Sequence, residues 1–96
     1  MYVIVSYDVS TKTKEGRRRL RRAARICLNH GQRVQNSVFE CLVSADEWVR
    51  FRQQLLDLYQ ADQDSLRFYL LGDKWRRQVE HHGTKPSYDP EGPLIV

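Results

Sequence analysis

The sequence contains few of the residues on which disulfide-bonded, zinc-binding and membrane-spanning proteins depend. Its two cysteines, Cys27 and Cys41, lie in segments of apolar periodicity and lack the spacing of a metal site. We therefore expect both to be reduced residues of the core. No apolar run is long enough to cross a membrane, and the start does not resemble a signal peptide. These absences favour a cytoplasmic protein without a membrane partner.

The chain is short, and it shows neither an internal repeat nor a low-complexity tract. Its 96 residues suit one small domain. A domain of this size buries only roughly 60–65% of its unfolded surface, so association with a second chain would add burial. Sixteen Lys and Arg against twelve Asp and Glu give a formal charge of +4. Such a balance alone says little about a nucleic-acid partner, so the arrangement of the charge matters more.

Apolar periodicity in the first third of the chain predicts a strand and a helix. Tyr2–Asp8 is largely apolar on both faces, which is typical of a central strand covered on both sides. A helix should then run to about Asn29, with Ser10, Thr11 and Thr13 as candidate caps. We expect Gly31 to end that helix in the left-handed conformation.

The middle of the chain predicts two further strands, a second helix and a last pair of strands. The strand segments are 32–35 and 37–43, or one long strand with an irregularity near Asn36. Ser44 and Glu47 form a capping box for the second helix. A strand at 66–71 should end at Gly72, and a shorter one should follow at 78–81. The order β-α-β-β-α-β indicates an α+β fold of the ferredoxin-like type.

The C-terminal segment has an unusual composition, and we separate it from a ferredoxin-like domain at residues 1–83. Residues 84–93 contain Pro86, Pro90 and Pro93, which predicts an extended connector. The chain then closes on Leu94-Ile95-Val96, an apolar and strand-prone end. We expect this end to pair with a sheet edge, preferably that of a partner subunit. A disordered tail is the alternative.

Six arginines fall within nine positions of the first predicted helix. On a helical wheel Arg19 points away from the other five, and the opposite side carries the apolar stripe. Like charges at i and i+4 repel, so the cluster costs helix stability. A solvated surface face is one interpretation, but the density of one sign favours contact with the phosphates of a polyanion. The arginine ridge, as we name it, comprises Arg17, Arg18, Arg21, Arg22 and Arg25.

Asp8 ends the first strand, although aspartate is a poor strand former. It lies early for a helix cap, but it suits Mg²⁺, which takes one or two carboxylates and completes its shell with water and phosphate. No second acid lies in the same strand, so a symmetric dimer would have to supply one. His81 and His82 are adjacent, so their rings should face opposite sides of a strand and could not easily share a metal. Ser37 has no visible partner that would make it a nucleophile.

Taken together, these segments resemble the CRISPR-associated protein 2 family over nearly the whole chain. The resemblance rests on VSYD at the end of the first strand, GQRVQNSVFE after the first helix, LLG at the end of the later strand and the apolar tail. It implies a ferredoxin-like homodimer that exchanges its C-terminal strand. It also implies a role in spacer acquisition beside the CRISPR integrase, with duplex DNA held along a basic surface.

The resemblance further implies a metal-dependent endonuclease acting on RNA or on double-stranded DNA. The family's strand-end aspartate falls on Asp8, with Tyr7 before it, and two copies of Asp8 would hold one Mg²⁺. The family's arginine and phenylalanine fall on Arg33 and Phe39, with Ser37 between them. No general base is identifiable. Two alternatives therefore stay open, a non-catalytic scaffold that binds duplex DNA in the integrase complex and a toxin-like ribonuclease.

Overall fold

Two helices pack on one face of a five-stranded antiparallel sheet. The computed structural model describes residues 1–71 and 77–84, with the backbone alone at residues 77–79. No helix in these ranges has the length and hydropathy to span a bilayer. The elements are β1 Tyr2–Asp8, α1 Lys14–Leu28, β2 Gly31–Gln35, β3 Val38–Leu42, α2 Ala45–Leu58, β4 Ser65–Leu71 and β5 Arg77–Gly83.

The strand order is β2-β3-β1-β4-β5, which puts β1 at the centre as its composition predicted. The first four strands and two helices form the ferredoxin-like βαββαβ arrangement, so the α+β prediction is confirmed. β5 is added at the β4 edge of the same chain. It is longer than predicted, because its pairing with β4 extends from Leu71↔Arg77 to Ser65↔Gly83.

The core lies between the helices and one face of the sheet. Val3, Val5 and Tyr7 of β1 are fully buried against α1 and α2. Their alternates on β1 face the other way: Tyr2 is 37% exposed, and Asp8 is exposed. In the described residues both helices therefore cover the same face of β1, and the expectation of cover on both faces is met on only one.

Both helices begin at the side chains that the sequence indicated. The Thr13 hydroxyl accepts the Gly16 N–H at 3.0 Å at the start of α1. At the start of α2, Ser44 accepts from the Glu47 N–H at 3.1 Å, and the Glu47 carboxylate accepts from the Ser44 N–H at 3.0 Å. These bonds satisfy donors that the helix itself leaves unpaired, so the capping box is confirmed.

The prediction for Gly31 was wrong. Its backbone does not adopt the left-handed conformation, and α1 ends at Leu28, with Asn29 in the right-handed helical region. Gly31 begins β2 instead and pairs with Cys41. A Cβ at this position would lie 1.8 Å from the Glu40 carbonyl oxygen, so glycine is required by the close approach of β3.

The two cysteines are confirmed as free, buried thiols between α1 and β3. A hydrogen bond with Cys41 and burial both raise the pKa of the Cys27 thiol.

Three of the expectations from the sequence concern residues outside the described ranges. They are the strand stop at Gly72, the connector with Pro86, Pro90 and Pro93, and the terminal strand at residues 94–96.

Candidate functional site

Asp8 lies at the end of the central strand, on the face of the sheet that the helices leave uncovered. Its side chain is exposed, and its backbone is in register with Ser65 of β4. The carboxylate is thus held on a strand that has hydrogen-bonded neighbours on both sides. A rigid strand positions a charged group more firmly than a loop does.

Tyr7 precedes Asp8 but points to the opposite face. Its ring is fully buried, and its hydroxyl donates to Asp64 Oδ2 at 2.6 Å. Burial and this hydrogen bond raise the pKa of Tyr7, so the phenol stays protonated. Tyr7 therefore does not face the same side as Asp8; it anchors the end of β1 to the core.

Asp64 is the buried acid to which Tyr7 is tied. Arg19 Nε donates to Asp64 Oδ2 at 2.8 Å, and the other end of the guanidinium donates to Oδ1 at 3.0 Å. Burial favours the neutral form of Asp64, but the hydrogen bonds from Arg19, Tyr7 and Gln60 outweigh it and lower the pKa of Asp64. The sequence alone did not identify Asp64; the one signal for its role was the orientation of Arg19 away from the ridge.

Arg33, Ser37 and Phe39 lie on the β2–β3 side of β1. The Arg33 guanidinium lies 5.2 Å from the centre of the buried Phe39 ring, a cation–π distance. The Ser37 carbonyl accepts the Tyr7 N–H at 2.9 Å, so Ser37 is adjacent to the end of β1. Phe39 is in register with Val5 on the helix-covered face, so Arg33 and Phe39 lie across the sheet from the Asp8 side chain.

All five residues of the arginine ridge are exposed along α1. Arg17 donates to the Thr11 carbonyl at 2.9 Å, which ties the first turn of α1 to the loop after Asp8. Ala23, Ala24 and Cys27 are buried on the other side of the helix, as the apolar stripe predicted. The ridge is therefore a continuous cationic surface that begins close to the end of β1.

A groove of about 600 Å³ separates α1 from α2. Arg18 and Arg22 line it together with Arg19, and Asp57 of α2 lines it with them. In the sequence the acid nearest to the ridge is Glu15, and the fold adds Asp57. Arg18 and Arg22 thus share their surroundings with a carboxylate, whereas Arg17, Arg21 and Arg25 do not line this groove.

The two histidines of β5 face opposite sides, as predicted. His82 Nε2 lies 2.9 Å from Glu80, and its ring packs on Phe68 on the helix-covered face. His81 Nε2 lies 2.8 Å from the hydroxyl of Ser65. Ser65 is the register partner of Asp8, so the sheet brings His81 near the end of β1. Sequence periodicity could not show this, because the contact depends on the register of β4 with β5.

One chain offers few ligands for a metal. Residues 1–71 and 77–84 contain no cluster of three or more His, Cys, Asp or Glu side chains that could hold an ion. The exposed Asp8 carboxylate is an oxygen donor of the kind that Mg²⁺ prefers, and Mg²⁺ needs only one or two of them. The donor chemistry of Asp8 therefore fits Mg²⁺, with one carboxylate from each chain.

Comparisons with known proteins agree on one family. Residues 1–79 match the family described as CRISPR associated protein Cas2. The chain is 54% identical to a protein of Nitratidesulfovibrio vulgaris named CRISPR-associated endoribonuclease Cas2, over 100% of this chain and 94% of that protein. A protein of Halalkalibacterium halodurans named CRISPR-associated endonuclease Cas2 is 48% identical over 99% of both chains. The crystal structure of Streptococcus pyogenes Cas2 at pH 6.5 is similar with a TM-score of 0.72 and 52% identity, covering 78% of this chain and 90% of that one.

Proposed function

Because this chain belongs to the CRISPR-associated protein Cas2 family, we propose that it is a homodimeric, Mg²⁺-dependent endonuclease of CRISPR spacer acquisition. Its reaction is hydrolysis of phosphodiester bonds in RNA or double-stranded DNA, in the cytoplasm. The observation that carries this proposal is the exposed Asp8 carboxylate at the end of the central strand, on the face without helices. One relative is named an endoribonuclease and another an endonuclease, so both RNA and duplex DNA are tested as substrates below.

The sheet face that the helices leave uncovered is best suited to bind a second copy of the chain. Leu42 is 68% exposed and lies in register with Tyr2, and Met1 is adjacent. Apolar side chains grouped on one exposed face favour association. A two-fold axis through this face would bring two copies of Asp8 together, since the same surface meets itself.

Two Asp8 carboxylates would hold the Mg²⁺ ion. When bound, the ion would act as a Lewis acid on the scissile phosphate. The arginine ridge would bind the phosphate backbone on either side of the scissile bond. Contacts of this kind position nucleic acid without reading its sequence.

A non-catalytic role is the second candidate, and one contrast supports it. In the described part of the chain five exposed arginines stand on α1, while the proposed metal centre has a single carboxylate per subunit. The protein would then hold duplex DNA inside the CRISPR integrase complex and leave the chemistry to the integrase subunit. The two candidates differ in whether Asp8 is needed.

Cleavage by purified Asp8→Asn protein separates them. Wild type and variant are incubated with matched RNA and duplex DNA, with Mg²⁺ or with EDTA, and Asp62→Asn is the control for an exposed aspartate outside the site. The nuclease proposal expects cleavage by wild type and Asp62→Asn only in Mg²⁺, and none by Asp8→Asn, while DNA binding and dimerisation persist in all three. Equal cleavage by wild type and Asp8→Asn would falsify it. Spacer integration that survives in Asp8→Asn but is abolished by charge reversal of Arg17, Arg21 and Arg25 would favour the scaffold.

A further inference from the structure

A serine–histidine pair lies beside Asp8 on the open face of the sheet. Asp8 is in register with Ser65, and Arg67 is in register with His81, so the strands β1, β4 and β5 place these side chains on one face. Ser65 stands on the strand between Asp8 and His81. The distance from Ser65 Oγ to His81 Nε2 is 2.8 Å, which is a good hydrogen bond.

We propose that Ser65 and His81 form the proton-accepting part of the site at Asp8, with His81 as the base and Ser65 as the relay to it. The proposal rests on the proposed nuclease function, because it assigns the general base that such a reaction needs. A residue in this role belongs within hydrogen-bond reach of the reacting water, either directly or through one intervening group.

The surroundings of His81 suit a base that is neutral before the reaction. His81 is half-buried, and Arg67, on the neighbouring strand and the same face, is 8% exposed. Burial, the charge of Arg67 and the neighbouring His82 lower the pKa of His81 below its ordinary value of 6.5. Asp8 lies on the same face, and Glu40 lies farther along it, in register with Ile4. A neutral imidazole at neutral pH has a nitrogen that can take up a proton.

The proposed reaction is hydrolysis, and water is the only reactant besides the nucleic acid. The oxygen of a water molecule forms a bond to phosphorus, and the bond from phosphorus to the leaving sugar oxygen breaks. The proton of the water passes to Ser65 Oγ as the hydrogen of that hydroxyl moves to His81 Nε2. The leaving oxygen takes up a proton from solvent, and the imidazolium afterwards releases its proton to solvent, which restores the pair.

Ser65 and His81 would transfer the proton through one shared hydrogen bond, so the proposed relay needs both side chains. Ser65 is 3% exposed, and its hydroxyl is oriented by the hydrogen bond with His81. Removal of either group interrupts the same relay. The two effects should therefore not add, as is typical of residues that act as one unit.

The test uses the full-length dimer in excess over nucleic acid, in single-turnover cleavage with saturating Mg²⁺. His81→Ala should slow cleavage by about 100-fold or more, the contribution of a general base, while the KM and the affinity for nucleic acid stay within about twofold. Added imidazole should restore a large part of the rate, because it replaces the missing base. Ser65→Ala should slow cleavage by a similar factor without rescue, and the double variant should be no slower than either single one.

His82→Ala is the matched control, since it removes the adjacent imidazole from the opposite face. It should keep the wild-type rate and show no response to imidazole. His81→Asn serves as a second variant if His81→Ala does not fold; its amide can still bond to Ser65 but cannot accept the proton, so cleavage must slow by the same factor. Cleavage by His81 variants at the wild-type rate, or a slow rate that imidazole does not rescue in folded His81→Ala, overturns the assignment while leaving an Asp8-dependent nuclease intact. Cleavage that does not depend on Asp8 overturns both proposals.

Discussion

At the scale of single residues, Asp64 joins distant parts of the fold. Its carboxylate accepts hydrogen bonds from Tyr7, Arg19 and Gln60, which belong to β1, to α1 and to the loop before β4. A buried carboxylate is stable only when such partners compensate its lost hydration. The end of β1, and with it Asp8, is therefore located by a charge in the core.

We predict that Asp64→Asn lowers the free energy of unfolding by about 3 kcal/mol at pH 7, because it leaves Arg19 without its partner charge. The pKa of Asp64 is lowered in the folded state, so its contribution is complete above the unfolded value of about 3.8 and disappears as the pH falls through the folded value. The difference between wild type and variant should shrink accordingly in acid. Urea unfolding at one protein concentration and several pH values measures it.

Asp57→Asn is the control for this prediction. Asp57 is exposed and bonds to Gln53 on the same helix, so its removal should cost less than about 0.5 kcal/mol. Equal destabilisation in the two variants, or an effect of Asp64→Asn that does not change with pH, would contradict the role given to Asp64.

At the scale of elements, the sequence predicted best where a local rule determines the outcome. Ser44 and Glu47 are three residues apart, so their capping box could be identified without knowing the fold. Gly31 was misassigned because its requirement comes from Glu40 on the next strand. The pairing of Tyr7 with Asp64 spans 57 residues, and that of Ser65 with His81 depends on strand register. Neither leaves a periodic signal in the sequence.

The residues of the arginine ridge fall into two groups, those that line the groove between the helices and those that do not. We predict that replacing Arg17, Arg21 and Arg25 with Gln weakens duplex DNA binding and reduces the slope of log K against log salt by about 0.9 for each phosphate that is no longer neutralised. The same change should not destabilise α1, because it removes repulsion between positions i and i+4. Fluorescence anisotropy over a salt series, with thermal unfolding beside it, measures both.

Arg18→Gln with Arg22→Gln is the matched comparison for the ridge. These two arginines share the groove with Asp57, so their charge is partly offset and their removal should change the salt slope less per residue. An equal change per residue in both variants would mean that the groove does not distinguish the two sets. No change in either would remove the ridge from the binding surface.

At the scale of the whole molecule, the fold class and the central position of β1 followed from the sequence, whereas the two unequal faces of the sheet did not. β1 is largely apolar on both sides, although Ser6 and Asp8 lie on the side without helices. The helix-covered face contains Val3 and Val5 at 0% exposure, and the other face shows Leu42 at 68%. The side without helices, exposed at Leu42, is the one that a second subunit would cover.

We predict that Leu42→Asp dissociates the dimer and abolishes Mg²⁺-dependent cleavage although Asp8 is unchanged, because the shared site needs both copies. Val49→Asp is the control: Val49 is 67% exposed on α2, so the same substitution there should leave a dimer with wild-type cleavage. Sedimentation equilibrium reports the association state, and cleavage is assayed at the same concentrations. A monomeric wild type, or a monomeric Leu42→Asp that still cleaves, would contradict the shared site.

Asp64 also makes a hydrogen bond through its backbone. Its carbonyl oxygen accepts the Thr84 N–H at 3.0 Å, directly after the end of β5. Gly83 permits the approach, since its φ is +118° and a Cβ there would lie 2.0 Å from that oxygen. The end of β5 is thus fastened to the same residue whose carboxylate holds Tyr7, so the position of β5 and that of the end of β1 are coupled through Asp64.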